Sequence, residues 1–137
     1  EVFANLGSVH TLVVCSDDGL DEISIAADTK VSELRDGSIK DYVIKPEEFG
    51  VARQSLDDLV VADSVQSLAL IRSALTGTDG SAADMVALNA GATIYAADLA
   101  DSLQDGVEHA REILKSGAGY AKLEELVTYT QKFLVEQ

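Results

Sequence analysis

The stretch KVSELRDGSIKDYVI, residues 30–44, decides the fold of the first third of the chain. The dipeptide Asp36-Gly37 at its centre favours a two-residue type I′ turn between antiparallel strands. Such a turn sets the facing pairs, which are Leu34 with Ile39, Glu33 with Lys40, and Val31 with Tyr42. An apolar pair and an opposite-charge pair each favour this register. We therefore expect a β-hairpin over residues 30–44.

Two stretches before the hairpin also have strand character. HTLVVC (10–15) is a short apolar run without alternation, which is typical of a strand buried on both faces, as in a parallel sheet. EISIAA (22–27) is a candidate for a second strand. Pro46 ends this region and opens KPEEFG (45–50), so strands are expected only in the first third.

The remainder of the chain predicts packed helices, from apolar spacing and capping signals. The first expected helix starts at Ser55 with a capping box to Asp58, the second covers 64–76 and is ended by Gly77, and the third covers 82–100. The fourth starts at Ser102 with a capping box to Asp105 and runs as far as Lys115. The fifth covers 120–134, with Leu123, Leu126, Val127, Thr130 and Leu134 on one face. The fold class is therefore α/β, with strands and a β-hairpin followed by packed helices.

The first residues, EVFANLG (1–7), read as the last turns of a helix closed by Gly7 at the C′ position. No helix start precedes them, and there is no initiator Met. We therefore expect the chain to be a fragment of a longer protein.

Composition excludes several classes of protein. The 137 residues carry a net charge of −14, which argues against partners such as nucleic acids and membrane surfaces, because both attract basic proteins. The single cysteine, Cys15, excludes an internal disulfide and fits a reducing cytoplasm. We expect Cys15 to be a packing residue. Residues 82–100 are apolar but interrupted by Asn89 and other polar residues, so they predict a core helix with a satisfied amide and not a membrane span.

The stretch best suited to form a functional site is CSDDGLDEIS, residues 15–24. It places four carboxylates in six positions after an apolar run. Ligand sites in parallel α/β sheets lie beyond the carboxyl ends of strands, and carboxylates there suit Mg²⁺. Asp21 and Glu22 could supply ligands directly or through water. The alternative is a solvated acidic turn bent at Asp18-Gly19. The residues alone leave both readings open.

Other potential sites have less support. GTDG (77–80) and SGAG (116–119) do not follow a strand, so they predict helix ends and not phosphate-binding loops. His10 and His109 form no catalytic or zinc pattern. We expect His109 on the surface. No residue is assigned a catalytic or cofactor-binding role.

The chain resembles the anthranilate phosphoribosyltransferases in several stretches, taken in order. These are the Val-Val strand followed by Asp-Gly-Leu-Asp-Glu-Ile-Ser (18–24), the hairpin from Thr29 to Leu34, the turn at 46–50, LNAGATIYAAD (88–98), and the helices over 102–126. The sequence departs from the family pattern at Cys15, where His is usual, and at Ala27-Asp28-Thr29, where Gly-Pro-Thr is usual. Neither departure touches Asp21 or Glu22.

The resemblance implies transfer of the phosphoribosyl group of phosphoribosyl pyrophosphate to anthranilate, with release of pyrophosphate, in tryptophan biosynthesis. It maps the family's Mg²⁺-binding pair onto Asp21 and Glu22, and it assigns Asp18 and Ser24 to loop shape and supporting hydrogen bonds. The implied fold is the C-terminal portion of a phosphoribosyltransferase and nucleoside-phosphorylase-like α/β domain. A dimer of the full-length enzyme is also implied.

The family's phosphate-binding loop and N-terminal helical domain would lie upstream of residue 1. We therefore expect residues 1–137 to be the C-terminal part of the α/β catalytic domain and to be inactive alone. Two alternatives are a related phosphoribosyltransferase or pyrimidine nucleoside phosphorylase with another acceptor, and a stand-alone, non-catalytic interaction or scaffold domain.

Overall fold

The protein was analysed as a computed structural model, which describes residues 1–133. The strands are β1 (His10–Ser16), β2 (Thr29–Arg35) and β3 (Ser38–Ile44). The helices are α1 (Val2–Asn5), α2 (Ser64–Leu75), α3 (Ser81–Ala96), α4 (Leu103–Ser116) and α5 (Ala118–Gln131), with short 3-10 helices at Pro46–Phe49 and Asp57–Leu59. The predicted class, a hairpin-containing sheet followed by packed helices, is confirmed.

The hairpin has the expected geometry. Asp36 and Gly37 have φ angles of 50° and 76°, as a type I′ turn requires. Leu34 faces Ile39, and the other two predicted pairs are also present. The turn residues therefore fixed the register of β2 and β3.

The first strand differs from its prediction in direction and in burial. β1 pairs antiparallel with β2 in a three-stranded sheet ordered β1-β2-β3, so the parallel-sheet argument for a site beyond its carboxyl end does not apply within this sheet. Val13 is 48% exposed, and Cys15 is exposed. Both lie on the outer face, so the prediction that Cys15 is a packing residue is wrong. The run lacks alternation because its outward positions are apolar too.

Residues 22–27 do not form the strand that their sequence suggested. Side chains occupy backbone groups that a β-ladder would need. Asn89 Oδ1 accepts from the Ile23 N–H, Thr29 Oγ1 from the Ser24 N–H, and Ser24 Oγ from the Ala26 N–H. The segment is therefore an ordered loop, and Ile23, Ser24 and Ile25 are buried in it.

The core lies between the sheet, this loop and helix α3. It contains Ile25, Val31 and Leu88, each at most 2% exposed, with Val107 of α4 behind them. Leu12 and Val14 of β1 pack against the same cluster. The inner face of the sheet is thus held on α3.

Helices α3 and α4 approach each other closely at Gly91 and Gly106. A Cβ on Gly106 would lie 2.3 Å from the Gly91 carbonyl oxygen, and a Cβ on Gly91 would lie 2.6 Å from the Val107 Cα. No side chain fits at either position without backbone movement. The two helices therefore pack with their backbones in contact.

Most helix boundaries agree with the predictions. Ser102 Oγ accepts from the Asp105 N–H at the start of α4, and Gly7, Gly77 and Gly117 end helices with positive φ angles. GTDG and SGAG are helix junctions, as expected.

Three helix predictions need correction or fall outside the structure. The capping box from Ser55 to Asp58 is wrong, because Ser55 Oγ accepts from the Asp57 N–H and only a short 3-10 helix follows. Helix α3 ends at Ala96, before the predicted residue 100. Leu134, predicted on a face of α5, lies outside the described residues. No helix among residues 1–133 has the length and apolar character needed to cross a membrane.

Candidate metal-binding site

The acidic stretch begins where β1 ends, and its four carboxylates have different surroundings. Asp17 Oδ1 lies 2.7 Å from Lys30 Nζ on the neighbouring strand. Asp18 accepts hydrogen bonds from the Ser24 hydroxyl at 2.5 Å and from the Leu20 N–H at 3.2 Å. These two carboxylates therefore hold the loop itself, and the expected role of Asp18 and Ser24 in loop shape is confirmed.

The ionised form of Asp18 is the one that this loop stabilises. Partial burial of the carboxyl would raise its pKa, but the hydrogen bonds from the Ser24 hydroxyl and the Leu20 N–H outweigh burial and hold the pKa of Asp18 below its usual value. Asp18 thus stays a hydrogen-bond acceptor at neutral pH.

Asp21 and Glu22 differ from the two acids before them. Both are exposed, and neither side chain makes a hydrogen bond or an ion pair to any of residues 1–133. Their oxygens are open to solvent or to a ligand. The sequence singled out these two residues, and the structure places both on the surface, in the loop that follows β1.

The backbone on both sides of this pair is fixed. The Leu20 N–H donates to Asp18, and the Leu20 carbonyl accepts from the Ser16 N–H at 2.9 Å. The Ile23 N–H donates to Asn89 Oδ1 at 2.9 Å, and the Ile23 carbonyl accepts from Asn89 Nδ2 at 2.9 Å. Asp21 and Glu22 therefore bridge two anchored residues.

The chemistry of these donors fits Mg²⁺ bound together with a phosphate ligand. Mg²⁺ takes one or two protein carboxylates and completes its shell with waters and phosphate oxygens. Among the described residues no group of three or more His, Cys, Asp and Glu side chains could hold a metal ion.

A groove of about 550 Å³ opens beside Glu22, between β1 and α3. It is mostly apolar, and Ile23, Asn89 and Thr93 are among its lining residues. Glu22 therefore lies at the rim of a concave surface.

A second cluster of charged residues lies at the other end of β1, and no motif in the sequence indicates it. Glu33 accepts from the Tyr95 hydroxyl at 2.7 Å, from the Tyr42 hydroxyl at 2.9 Å, and has His10 Nε2 at 3.2 Å. His10 Nδ1 lies 3.0 Å from Asp98, and the His10 side chain is only 3% exposed. His10 therefore lies between two carboxylates, with one ring nitrogen facing each.

The pKa values in this second cluster reflect its hydrogen bonds. Burial alone would raise the pKa of Glu33, but hydrogen bonds from Tyr95, Tyr42 and His10 hold it below its usual value. Burial and the bond to Glu33 raise the pKa of Tyr42. Both carboxylate oxygens of Glu33 therefore have hydrogen-bond partners within the cluster.

Comparison with known proteins identifies the family of this chain. The profile of the glycosyl transferase family, a/b domain, matches residues 1–120. The chain therefore belongs to that family.

Its relatives within the family carry a more specific name. The anthranilate phosphoribosyltransferase of Hahella chejuensis is 52% identical over 141 residues, covering 100% of this chain and 41% of the relative. The solved anthranilate phosphoribosyltransferase of Thermus thermophilus has a TM-score of 0.83 at 38% identity, covering 93% of this chain and 37% of that chain. The resemblance inferred from the sequence is confirmed.

A more distant solved structure shares the fold. The anthranilate phosphoribosyltransferase of Saccharomyces cerevisiae, in complex with PRPP (phosphoribosyl pyrophosphate) and Mg, has a TM-score of 0.72 at 21% identity, covering 84% of this chain and 33% of that chain. The chain thus spans about 40% or less of the length of the relatives that it matches.

Proposed function

We propose that this chain is the C-terminal part of the α/β catalytic domain of an anthranilate phosphoribosyltransferase, and that Asp21 and Glu22 bind its Mg²⁺. The enzyme would transfer the phosphoribosyl group of phosphoribosyl pyrophosphate to anthranilate. The observation that carries the proposal is the pair of open carboxylates on an anchored backbone, in a chain 52% identical to a protein of that name.

The charge of the chain agrees with this role. A segment with a net charge of −14 repels a diphosphate unless a cation lies between them. Mg²⁺, when bound, supplies Lewis-acid neutralisation of the charge that develops on the departing diphosphate. Asp21 and Glu22 hold and orient the ion, while Asp17 and Asp18 are committed to Lys30 and Ser24 and stay out of the metal shell.

The remaining parts of the proposal follow from the family. The phosphate-binding loop, the anthranilate pocket and the N-terminal helical domain would belong to the rest of the full-length protein, so residues 1–137 would be inactive alone. We also propose a cytoplasmic enzyme that forms a homodimer when full-length.

The test compares two adjacent acidic pairs in the full-length protein. Asp21→Asn with Glu22→Gln removes the proposed ligands, and Asp57→Asn with Asp58→Asn removes the same charge from another exposed pair. The measurement is release of pyrophosphate from phosphoribosyl pyrophosphate and anthranilate, titrated with Mg²⁺.

We expect the Asp21 and Glu22 variant to lose at least about 100-fold in kcat/KM, which corresponds to about 2.7 kcal/mol. The Asp57 and Asp58 variant should match the unmodified enzyme. An unchanged Mg²⁺ dependence in the first variant would overturn the metal assignment. Turnover with another acceptor but not with anthranilate would overturn the acceptor.

A further inference from the structure

We infer that Asn89 is a positioning residue for the metal-binding pair: its side chain fixes the backbone on which Asp21 and Glu22 are presented. This inference rests on the proposed function, because it concerns how the same two carboxylates are held. Asn89 touches neither carboxylate, so it acts through Ile23.

The Asn89 side chain contacts both backbone polar groups of Ile23, its N–H and its carbonyl. Asn89 Oδ1 accepts from the Ile23 N–H, and Asn89 Nδ2 donates to the Ile23 carbonyl, both at 2.9 Å. Nδ2 also donates to the Met85 carbonyl one helical turn earlier, at 3.0 Å. Three bonds fix the orientation of the amide, so the side chain substitutes for a neighbouring strand beside Ile23.

Ile23 is the residue directly after Glu22, and consecutive Cα atoms are about 3.8 Å apart. Fixing both backbone groups of Ile23 therefore fixes one end of the two-residue bridge that carries the metal ligands. The other end is fixed at Leu20 by Asp18 and by the Ser16 N–H. Removal of Asn89 frees one of the two ends.

Helix α3 is a rigid base for this contact. Asn89 is flanked by Leu88, which is 1% exposed, and lies two positions before Gly91, where the α4 backbone packs directly against α3. Displacing the amide would require moving α3 against α4. The Asn89 side chain thus links Ile23 to the closely packed α3–α4 pair.

An asparagine in the middle of a helix costs stability relative to alanine. Its side chain also contacts a loop residue that is 66 positions away in the sequence. Support of metal ligands by outer hydrogen bonds is worth about 10-fold to 100-fold in metal affinity in characterised sites. We expect an effect at the lower end here, because Asn89 acts on the backbone and not on a carboxylate.

The experiment uses the full-length protein and three substitutions. Asn89→Leu keeps the approximate volume and removes all three bonds. Asn89→Ser keeps a hydroxyl for the preceding helical turn but cannot reach Ile23. Thr130→Val is the matched control, in α5, where the hydroxyl donates only to the Leu126 and Val127 carbonyls of its own helix.

The first readout is Mn²⁺ affinity in the presence of phosphoribosyl pyrophosphate, measured by calorimetry, and the second is the Mg²⁺ dependence of turnover. Both Asn89 variants should raise the apparent Kd about 10-fold and should recover kcat at high Mg²⁺, while Thr130→Val should leave both unchanged. A residue that matters only for folding would lower the yield or kcat at every Mg²⁺ concentration without shifting the dependence, and that result would overturn the inference.

A third readout needs no variant. In the unmodified protein, metal and phosphoribosyl pyrophosphate together should slow hydrogen exchange at the Ile23 amide at least about 5-fold, because coupling between metal and contact is reciprocal. Unchanged exchange would contradict the inference.

The two proposals fail in different ways. If Asp21→Asn with Glu22→Gln leaves Mn²⁺ affinity unchanged, the metal assignment itself is wrong. If that variant loses metal while both Asn89 variants bind it normally, the pair is the metal site and Asn89 does not position it.

Discussion

Carboxylates lie near both ends of β1, and the pair Asp21 and Glu22 differs from those near its amino end in hydrogen bonding. At its amino end, His10 holds Glu33 and Asp98, and the oxygens of Glu33 accept three hydrogen-bond partners. At its carboxyl end, Asp21 and Glu22 have no side-chain partner within residues 1–133, although the backbone around them is fixed. A carboxylate whose acceptor sites are filled by the chain stabilises the fold. One that is left open on a fixed backbone is available to a ligand.

The largest expected effect tests the amino-end cluster. Glu33→Gln should destabilise the chain by about 2 kcal/mol, because the Gln amide keeps one acceptor oxygen but turns an NH2 donor toward a tyrosine hydroxyl and removes the charge that accepts these bonds. Urea unfolding measures this change. Asp41→Asn, on the exposed face of β3, is the control and should change the free energy of unfolding by less than about 0.5 kcal/mol. A loss below about 1 kcal/mol for Glu33→Gln would show that the cluster is not a structural centre.

The next effect is a dependence on pH. The pKa of Glu33 is lower in the folded chain than in the unfolded one, so the folded state binds fewer protons. The stabilisation is complete above the unfolded pKa, about 4.3, and is lost as pH falls through the folded value. The free energy of unfolding should therefore decrease below about pH 4. In Glu33→Gln this decrease should be shallower by up to about 1.4 kcal/mol per pH unit. Parallel curves for the two proteins would contradict the assignment.

The smallest expected effect tests the carboxyl-end pair. Asp21→Asn with Glu22→Gln should change the free energy of unfolding by less than about 0.5 kcal/mol, because neither side chain has a partner to lose among the described residues. The same urea experiment measures it. A loss of 2 kcal/mol or more, about that of a structural contact, would remove the contrast between the two ends.

The local parts of the fold could be predicted from the sequence. Asp36-Gly37 determines a turn within four residues, and Ser102 and Asp105 determine a helix start within one turn, so the hairpin and α4 follow from neighbouring residues. Asp21 and Glu22 were also found from their own sequence neighbourhood and from the family pattern that contains them.

The parts that could not be predicted depend on residues far apart in the sequence. Residues 22–27 look like a strand until Asn89, 66 positions later, occupies the backbone of Ile23. His10 looks isolated because its partners, Glu33 and Asp98, are 23 and 88 positions away. Cys15 looks buried because nothing in an apolar run shows which of its faces is covered.

The distance between Asn89 and Ile23 also bears on the order of folding. The hairpin closes over a two-residue turn, and α3 and α4 follow each other directly in the chain, so both can form early from local contacts. The contact with Ile23 closes 66 residues and needs α3 already in place. We therefore expect the loop that carries Asp21 and Glu22 to be among the last regions to reach native geometry, and among the first to open when the folded chain fluctuates.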